Sequence, residues 1–249
     1  MTAWNASGEQ AMARRSSFEA AFAELAERYD LPEQAIEQLR ELHRLLVDDP
    51  LAPTAVRDAG KVIDDHLADS LVALELDPVR SARSLADLGS GAGVPGLPLA
   101  IALPGASVAL VESAGRKCAF LDRAIARIGV ANARVVHARV ESWPDGVESF
   151  DLVTARALGP LEVVVEYAAP LLTLGGTLVA WRGQRDSLAE AAAARAADAV
   201  GLKPGRIVPV KPYPAAQSRH LHLMSKVTPT PLGFPRRPGM AAKRPLGRP

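Results

Sequence analysis

Cysteine is nearly absent from this chain, because Cys118 is the single cysteine among 249 residues. One cysteine cannot form an internal disulfide, and it cannot supply a zinc site built from several cysteines. Long apolar runs are also absent, since none approaches the roughly 20 residues that cross a bilayer. The first fifteen residues lack an apolar stretch behind a basic start. We therefore expect no transmembrane helix, no secretory signal and a cytoplasmic protein.

Acidic residues are absent from the last fifth of the chain. Residues 1–198 carry 19 basic and 28 acidic residues, a net charge of −9, whereas residues 199–249 carry ten basic and no acidic residues. A basic end beside an acidic body indicates a polyanionic partner, with a solubilising tail as the alternative. Residues 226–249 hold six prolines and six basic residues, which predicts a disordered tail.

The N-terminal third has helical periodicity. Apolar residues recur at spacings of three and four through residues 17–47, and Pro32 interrupts the pattern. A further helical pattern covers residues 59–76. Residues 1–80 are therefore predicted to form an N-terminal helical extension.

From residue 84 the pattern alternates between short apolar runs and longer amphipathic ones. Strands are predicted at 84–88, 107–111, 134–137, 151–155, 177–181, 207–210 and 220–225, and helices at 95–103, 115–128, 160–172 and 185–200. This alternation predicts an α/β fold in which residues 81–225 form a Rossmann-like, mostly parallel sheet of seven strands. The last two strands have no helix between them and should pair antiparallel.

A glycine-rich turn follows the first predicted strand. Gly89, Gly91 and Gly93 occupy alternate positions there, and glycine lets a ligand lie against bare main chain. The pattern G-x-G-x-x-G that begins at Gly91 is compatible with a dinucleotide such as NAD. Asp87 just before the loop favours a ligand with a cationic amino group instead, because it would repel a pyrophosphate. Together Asp87 and the glycines resemble the first motif of class I S-adenosylmethionine (SAM) methyltransferases.

Glu112 ends the second predicted strand. A carboxylate at this place can accept hydrogen bonds from both hydroxyls of a ribose. Enzymes that bind NAD and enzymes that bind SAM both use such a group. Glu112 therefore predicts a nucleoside site without choosing between the two cofactors.

Several longer segments carry a more specific resemblance. They read LADLGSGAGVPGLPLAIALPG, VVHARVESWP, FDLVTARAL and SRHLHLMSK, with VRD and DDHLADSL upstream. In this order, from about residue 36 to residue 226, the chain resembles the bacterial RsmG/GidB family. Members of that family methylate nitrogen 7 of a guanine in 16S ribosomal RNA.

The resemblance implies a class I SAM methyltransferase fold and a set of cofactor contacts. Gly89 and Val94 match loop positions that contact SAM, and Val140 and Glu141 match a pair beside the adenine. Arg156 matches an arginine that faces the cofactor site. The implied substrate is 16S rRNA, alone or in the 30S subunit, and we expect a monomer without a metal.

The chemistry implied for guanine needs no catalytic acid or base. Nitrogen 7 has a free lone pair and no proton at neutral pH, so catalysis reduces to alignment and we expect no catalytic residue. Arg182, Arg219 and His220 are the candidate RNA contacts. Arg182 stands where the family usually has lysine, and residues 47–54 also depart from the family pattern. An NAD- or nucleotide-binding protein and a small-molecule SAM methyltransferase are the alternatives.

Overall fold

The computed structural model describes residues 3–247, and the described part of the chain is built around one seven-stranded sheet. Its strands are β1 (Ser84–Leu88), β2 (Ser107–Glu112), β3 (Ala133–His137), β4 (Phe150–Arg156), β5 (Leu172–Arg182), β6 (Leu202–Val210) and β7 (Arg219–Lys226). Each contains the core of a predicted strand. β5 and β6 begin five residues earlier than predicted.

The strand order is β3-β2-β1-β4-β5-β7-β6. β1 to β5 pair in parallel, whereas β7 pairs antiparallel with both β5 and β6. The predicted Rossmann-like fold with an antiparallel last pair is thus confirmed. Because β1 lies between β2 and β4, the strand order reverses at β1, and ligands bind at such a switch point in open α/β sheets.

Four helices cover the two faces of the sheet. They are α6 (Gly96–Ala102), α7 (Gly115–Ile128), α8 (Leu161–Ala168) and α9 (Ser187–Ala199). In α7 one face is buried through Phe120, Leu121 and Ala124, and Gly129 ends the helix in the left-handed conformation at φ 74°. Two short 3₁₀ turns, Val140–Ser142 and Pro144–Gly146, connect β3 to β4.

The N-terminal region is helical as predicted. Its helices are α1 (Ala3–Tyr29), α2 (Glu33–Asp48), α3 (Ala59–Val62), α4 (Asp69–Leu71) and α5 (Asp77–Arg80), with a π-helical turn at Ile63–Ala68 and a 3₁₀ turn at Val72–Glu75. The predicted break at Pro32 is present, since Pro32 precedes α2 with extended backbone angles.

The helical extension shares its core with the sheet. Leu39, Leu42 and Leu46 of α2 have no exposed surface and belong to the same cluster as Leu97 of α6 and Leu121 of α7. A second cluster fills the opposite face beneath α8 and α9. The boundary at residue 80 therefore divides the sequence but not the hydrophobic core, and the division into domains stays a prediction.

The C-terminal residues differ from the expected disorder over the part that the structure describes. Lys226 is the last residue of β7 and is 2% exposed, so it is not a mobile cation. The chain then runs to a short helix, α10 (Met240–Lys243), whose Ala241 is buried. Arg236 pairs with the buried Glu166. The prediction considered composition alone, and these contacts arise only because the segment packs on α8; Arg248 and Pro249 lie outside the described residues.

Between residues 3 and 247, no helix is long and apolar enough to cross a bilayer.

Candidate active site

The candidate site residues lie at one edge of the sheet. β1 ends just before the glycine loop, β2 ends at Glu112, β4 at Arg156 and β5 at Arg182. β7 runs in the opposite direction, so its beginning lies at the same edge, and Arg182 pairs with His220 in the sheet register. Parallel strands thus bring residues that are far apart in sequence to one surface.

The glycine loop has a backbone conformation that favours glycine. Gly89, Gly91 and Gly93 have φ values of 67°, 57° and 86°, which side-chain-bearing residues rarely adopt. A Cβ atom at Gly89 would lie 2.5 Å from Leu158 Cδ1, so the Leu158 side chain would have to shift to admit one. At Gly91 a Cβ atom would meet only the Gly89 carbonyl oxygen, at 3.6 Å. The space beside Gly91 is therefore open for a ligand.

Asp87 is placed beneath this loop. Its carboxylate is fully buried and accepts hydrogen bonds from Thr154 Oγ1 at 2.8 Å and from the Gly96 backbone N–H at 3.3 Å. Burial raises the pKa of this carboxyl above its usual range. Asp87 therefore ties the end of β1 to β4 and to the start of α6, and its side chain has no surface facing the cavity.

Glu112 is the polar centre of the loop region. Its Oε1 accepts hydrogen bonds from the N–H groups of Ser113 and Ala114, both at 2.9 Å. Its Oε2 accepts one from Gly91 N–H at 3.2 Å and lies 3.6 Å from Lys117 Nζ. The carboxylate is thus held in one orientation between the glycine loop and the beginning of α7.

A cavity of about 320 Å³ opens above Glu112, and we call it the glutamate cavity. Its lining includes Gly89, Glu112, Val140, Glu141, Ala157 and Tyr167. The structure therefore brings together the glycine loop, the predicted ribose acceptor and the predicted adenine pair, which come from three separate stretches of the sequence.

Glu141 has partners that the sequence did not indicate. Its Oε1 accepts a hydrogen bond from Gly239 N–H at 2.9 Å, 98 residues further along the chain. Tyr167 hydrogen-bonds to the same carboxylate, and burial, reinforced by the nearby negative charge, raises the pKa of Tyr167 to about 12. A tyrosine on α8 and the C-terminal segment together hold this wall of the cavity.

Asp87 and Gly91 do not line the glutamate cavity, and two further predicted cofactor contacts lie away from it. Val94 is 9% exposed and belongs to the core cluster that contains Leu97 and Leu121, and it is not part of the cavity lining. Arg156 is also outside the glutamate cavity and lines a neighbouring one. The resemblance placed both residues near the cofactor, but packing directs Val94 into the core and an acidic neighbour directs Arg156 toward the helical extension.

Arg156 is bound by the irregular helical segment of the extension. Its Nη1 donates to the Asp65 carbonyl at 2.7 Å and to Asp69 Oδ2 at 2.8 Å, and its Nη2 lies 3.1 Å from His66 Nδ1. His66 Nε2 in turn lies 2.8 Å from Thr54 Oγ1. Burial, together with the Arg156 charge, lowers the pKa of His66, so the neutral ring accepts from Arg156. The π-helical turn at Ile63–Ala68 contributes Asp65 and His66, and Asp69 follows it directly as the first residue of α4.

The second cavity has a volume of about 350 Å³, and we call it the arginine cavity. Its lining includes Asp65, Asp69, Arg156, Arg182, Arg219 and His220. All three candidate RNA contacts, Arg182, Arg219 and His220, are thus in one place. Ala157, which has a φ of 55°, lines both this cavity and the glutamate cavity.

Two acidic side chains offset the positive charge in the arginine cavity. Asp65 Oδ1 accepts from Tyr213 Oη at 2.6 Å and from Arg219 Nη2 at 3.2 Å. Asp69 pairs with Arg156 and lies 3.6 Å from Arg219 Nε. Sequence reasoning missed Asp65 and Tyr213 as site residues. Asp65 lies within the segment DDHLADSL that carries the resemblance, but no local pattern could have connected it to Tyr213, which it meets across 148 residues of sequence.

The glutamate cavity fits the nucleoside part of SAM. Glu112 supplies a fixed, mostly buried acceptor for ribose hydroxyls, and the open side of Gly91 allows close approach to the backbone. Among the side chains that the structure describes, from residue 16 to residue 247, no group of three potential metal ligands occurs.

Comparison with known proteins identifies a family. The profile described as "GidB: rRNA small subunit methyltransferase G" matches residues 37–213. A curated protein of Chloroflexus aggregans named "Ribosomal RNA small subunit methyltransferase G" is 41% identical over 211 residues, which is 83% of this chain and 88% of that protein. A protein of the same name from Pelotomaculum thermopropionicum is 38% identical and covers 87% of this chain and 92% of its own length.

Solved structures share the fold. The SAM-dependent methyltransferase SibL in its apo form has a TM-score of 0.55 and 14% identity over 88% of this chain and 77% of that one. A SAM-dependent methyltransferase from Aquifex aeolicus has a TM-score of 0.50 and 17% identity, and it covers 67% of this chain and 96% of that one. At these identities the likeness concerns the class I methyltransferase fold alone.

Proposed function

The chain belongs to the GidB family of rRNA small subunit methyltransferases, and from that premise we propose that it methylates nitrogen 7 of a guanine in 16S ribosomal RNA. Family membership makes the protein a SAM-dependent rRNA methyltransferase. The base and the atom are the proposed part. The alternatives of an NAD-binding protein or a small-molecule methyltransferase are not favoured.

The arrangement of the two cavities is the observation that supports this function most. The glutamate cavity takes the cofactor and the arginine cavity takes the target nucleotide, and both are lined by Ala157. A methyl donor in the first is therefore next to an acceptor in the second. The second cavity carries three arginines, which suit the phosphates that flank a base.

When bound, SAM would supply a methyl group: a bond from nitrogen 7 of guanine to the methyl carbon would form as the methyl–sulfur bond breaks, and S-adenosylhomocysteine would leave as the neutral thioether. The ring nitrogen carries no proton to remove, so the chain needs to provide alignment rather than a general base. The glycine loop and Glu112 orient the cofactor, and the arginine cavity orients the base. We propose no residue as a catalytic acid or base.

The carboxylates of the arginine cavity have a further role in this scheme. Methylation leaves a positive charge on the guanine, which a bare cation beside the base would oppose. Asp69 neutralises Arg156, and Asp65 lies 3.2 Å from Arg219. These ion pairs let the arginines organise the cavity without placing a full uncompensated charge against the reacting ring.

The cofactor contacts follow from the same assignment. Glu112 accepts from the ribose hydroxyls, and Val140 and Glu141 border the adenine. Gly89 and Gly91 allow the close approach of the ligand. Asp87 and Val94 act at a distance from the ligand, because Asp87 fixes the loop and Val94 packs beneath it. Arg156 acts on the substrate side.

The RNA contacts are proposed at the opening of the arginine cavity. Arg182 donates to the Gly159 carbonyl at 2.9 Å through Nη1. His220 Nδ1 lies 2.9 Å from the Gly183 carbonyl, and Arg219 is partly exposed. These groups are proposed to bind phosphates of 16S rRNA, alone or within the 30S subunit. We further propose that the protein acts as a monomer, without a metal, in the cytoplasm.

A deletion strain tests the proposed function directly. We expect nucleosides prepared from its 16S rRNA to lack one 7-methylguanosine when they are analysed by mass spectrometry. A plasmid carrying the wild-type chain should restore the modified nucleoside. A plasmid carrying the Glu112→Ala variant should restore it only weakly, because that variant binds SAM poorly. Full retention of 7-methylguanosine in the deletion strain would contradict the assignment.

A further inference from the structure

The segment after β7, residues 227–247, is attached to the methyltransferase fold at its beginning. The N–H groups of Val227 and Thr228 donate to the Gly201 carbonyl at 3.0 and 3.3 Å. The buried amine of Lys226 donates to the Ala169 carbonyl at 2.8 Å and also hydrogen-bonds to Thr230. These contacts direct the chain from the sheet edge onto α8 and α9.

The middle of the segment is fixed by an ion pair. Arg236 Nε and Nη2 contact the two carboxylate oxygens of Glu166, each at 2.5 Å, and Nη2 also donates to the Arg244 carbonyl. Glu166 on α8 is 2% exposed. A buried carboxylate needs a charged, hydrogen-bonded partner, so Arg236 is a structural anchor and is not available to RNA. Phe234 packs against the same hydrophobic cluster as α8.

The end of the segment is attached as well. Ala241 of α10 is 1% exposed, and Arg195 Nε on α9 donates to the Gly247 carbonyl at 2.7 Å. The segment between Arg236 and Gly247 is therefore held at both ends. Gly239 lies inside this span, where its φ of 81° turns the chain into α10.

Gly239 connects the segment to the glutamate cavity. Its N–H donates to Glu141 Oε1 at 2.9 Å, and Glu141 also hydrogen-bonds to Tyr167. Tyr167 follows Glu166 directly in α8, so one turn of this helix binds both the segment and Glu141. The carboxylate that borders the proposed adenine position is thus oriented partly by residues beyond the matched family region.

We infer that the C-terminal segment positions Glu141, and through it the wall of the glutamate cavity, for SAM binding. Arg236 and Gly239 are positioning residues in this scheme, since neither lines the cavity. The inference rests on the proposed placement of SAM in that cavity. This inference changes the expected role of the segment. The basic composition of the segment had suggested a disordered tail that contacts a polyanionic partner.

The experiment measures SAM affinity by calorimetry on full-length variants. Arg236→Ala removes the anchor, and we expect it to raise the SAM dissociation constant about 5- to 10-fold, since the net effect of one ordinary hydrogen bond has this size and Arg236 acts on Glu141 indirectly. Arg237→Ala is the matched control, because Arg237 is the adjacent exposed arginine. It should leave the constant within about 2-fold. Arg236→Lys keeps the charge and should restore part of the affinity.

A double-mutant cycle separates positioning from general destabilisation. If the segment acts through Glu141, Arg236→Ala should weaken SAM by less than about 2-fold in a Glu141→Ala background. Asn132→Ala is the stability control, because Asn132 bonds three carbonyls near α6, away from the cavity. It should lower the melting temperature without changing SAM affinity.

The outcomes distinguish the inference from the function on which it rests. Unchanged SAM affinity in Arg236→Ala would overturn the inference, as would an equal loss in both backgrounds of the cycle. If Arg236→Ala does not fold, the same cycle is measured with Arg236→Lys under the same criteria. Wild-type protein without SAM affinity, or full affinity in Glu112→Ala, would overturn the proposed placement of the cofactor and the inference with it.

Discussion

The glutamate cavity and the arginine cavity are neighbours of similar volume, but they are built differently. Most of the glutamate cavity comes from strand ends and the loops that directly follow them, such as Gly89 after β1 and Glu112 at the end of β2. The arginine cavity needs the helical extension, because Asp65 and Asp69 come from it while Arg156 and Arg219 come from β4 and β7. The glutamate cavity is thus formed mainly by the Rossmann-like fold, whereas the arginine cavity forms between that fold and the helical extension.

This difference separates cofactor chemistry from substrate chemistry. The glycine loop and its carboxylate can serve any enzyme of this fold that uses SAM. The extension adds acidic partners for the arginines and thereby completes the cavity that we propose for the substrate. Variants of the two cavities should accordingly have separable effects, on SAM affinity for the first and on RNA for the second.

Gly91→Val should have the largest effect. Valine would have to adopt a φ of 57°, and its methyl groups would occupy the open space beside the loop, next to the Gly91 N–H that donates to Glu112. We expect no SAM binding that calorimetry can detect. Gly105→Val is the control, because a Cβ atom at Gly105 meets nothing within 4 Å. Micromolar SAM affinity in Gly91→Val would show that the ligand lies elsewhere.

Glu112→Ala should weaken SAM by about 10-fold or more, since a carboxylate that accepts two hydroxyls contributes roughly 1.5–3 kcal/mol. RNA affinity, measured by filter binding without SAM, should change little. Glu112→Gln should lie between the wild type and the alanine variant, because it keeps one acceptor oxygen. Equal losses of SAM and RNA affinity would mean that the two cavities are not separable.

Arg182→Ala tests the proposed role of the arginine cavity in RNA binding. It should weaken 16S rRNA binding and lower the slope of log affinity against log salt by about 0.7–0.9, the change expected for one lost phosphate contact. SAM affinity should be unchanged. Arg185→Ala serves as the control, because Arg185 is exposed and paired with Glu190 outside the cavity. An unchanged salt slope in Arg182→Ala would remove Arg182 from the RNA contacts.

The smallest effect is expected in the pH dependence of the free energy of unfolding, through the titration of His66 beside the arginine cavity. His66 faces Arg156, Asp65 and Asp69, and burial lowers its pKa below the ordinary value of 6.5. Near and below pH 6.5 the unfolded chain binds the proton more readily, so the free energy of unfolding should fall as the pH decreases. In His66→Asn this decline between pH 7 and 5 should be shallower, as measured by urea denaturation. Parallel curves would contradict the assignment.

Much of the fold could be predicted from the sequence because its signals are local. A strand and an amphipathic helix are encoded by spacings of two to four residues, and the glycine loop by adjacent residues with a required φ. Glu112 could be proposed as a site residue because it lies at the carboxyl end of a strand. The antiparallel last pair followed from the missing helix between two strand patterns.

The rest was decided by contacts between distant parts of the chain. Arg156 meets Asp65 across 91 residues and Arg236 meets Glu166 across 70, and no spacing rule encodes either contact. The role of Asp87 also depends on tertiary structure. The sequence suggested a contact between Asp87 and the ligand, whereas the structure buries its carboxylate under the glycine loop. The sequence by itself determined the strands and the glycine loop, and it predicted the nucleoside site. Only the tertiary structure decided the arginine cavity and the docking of the C-terminal segment, because a charged side chain takes its orientation from whichever partner packing brings within reach.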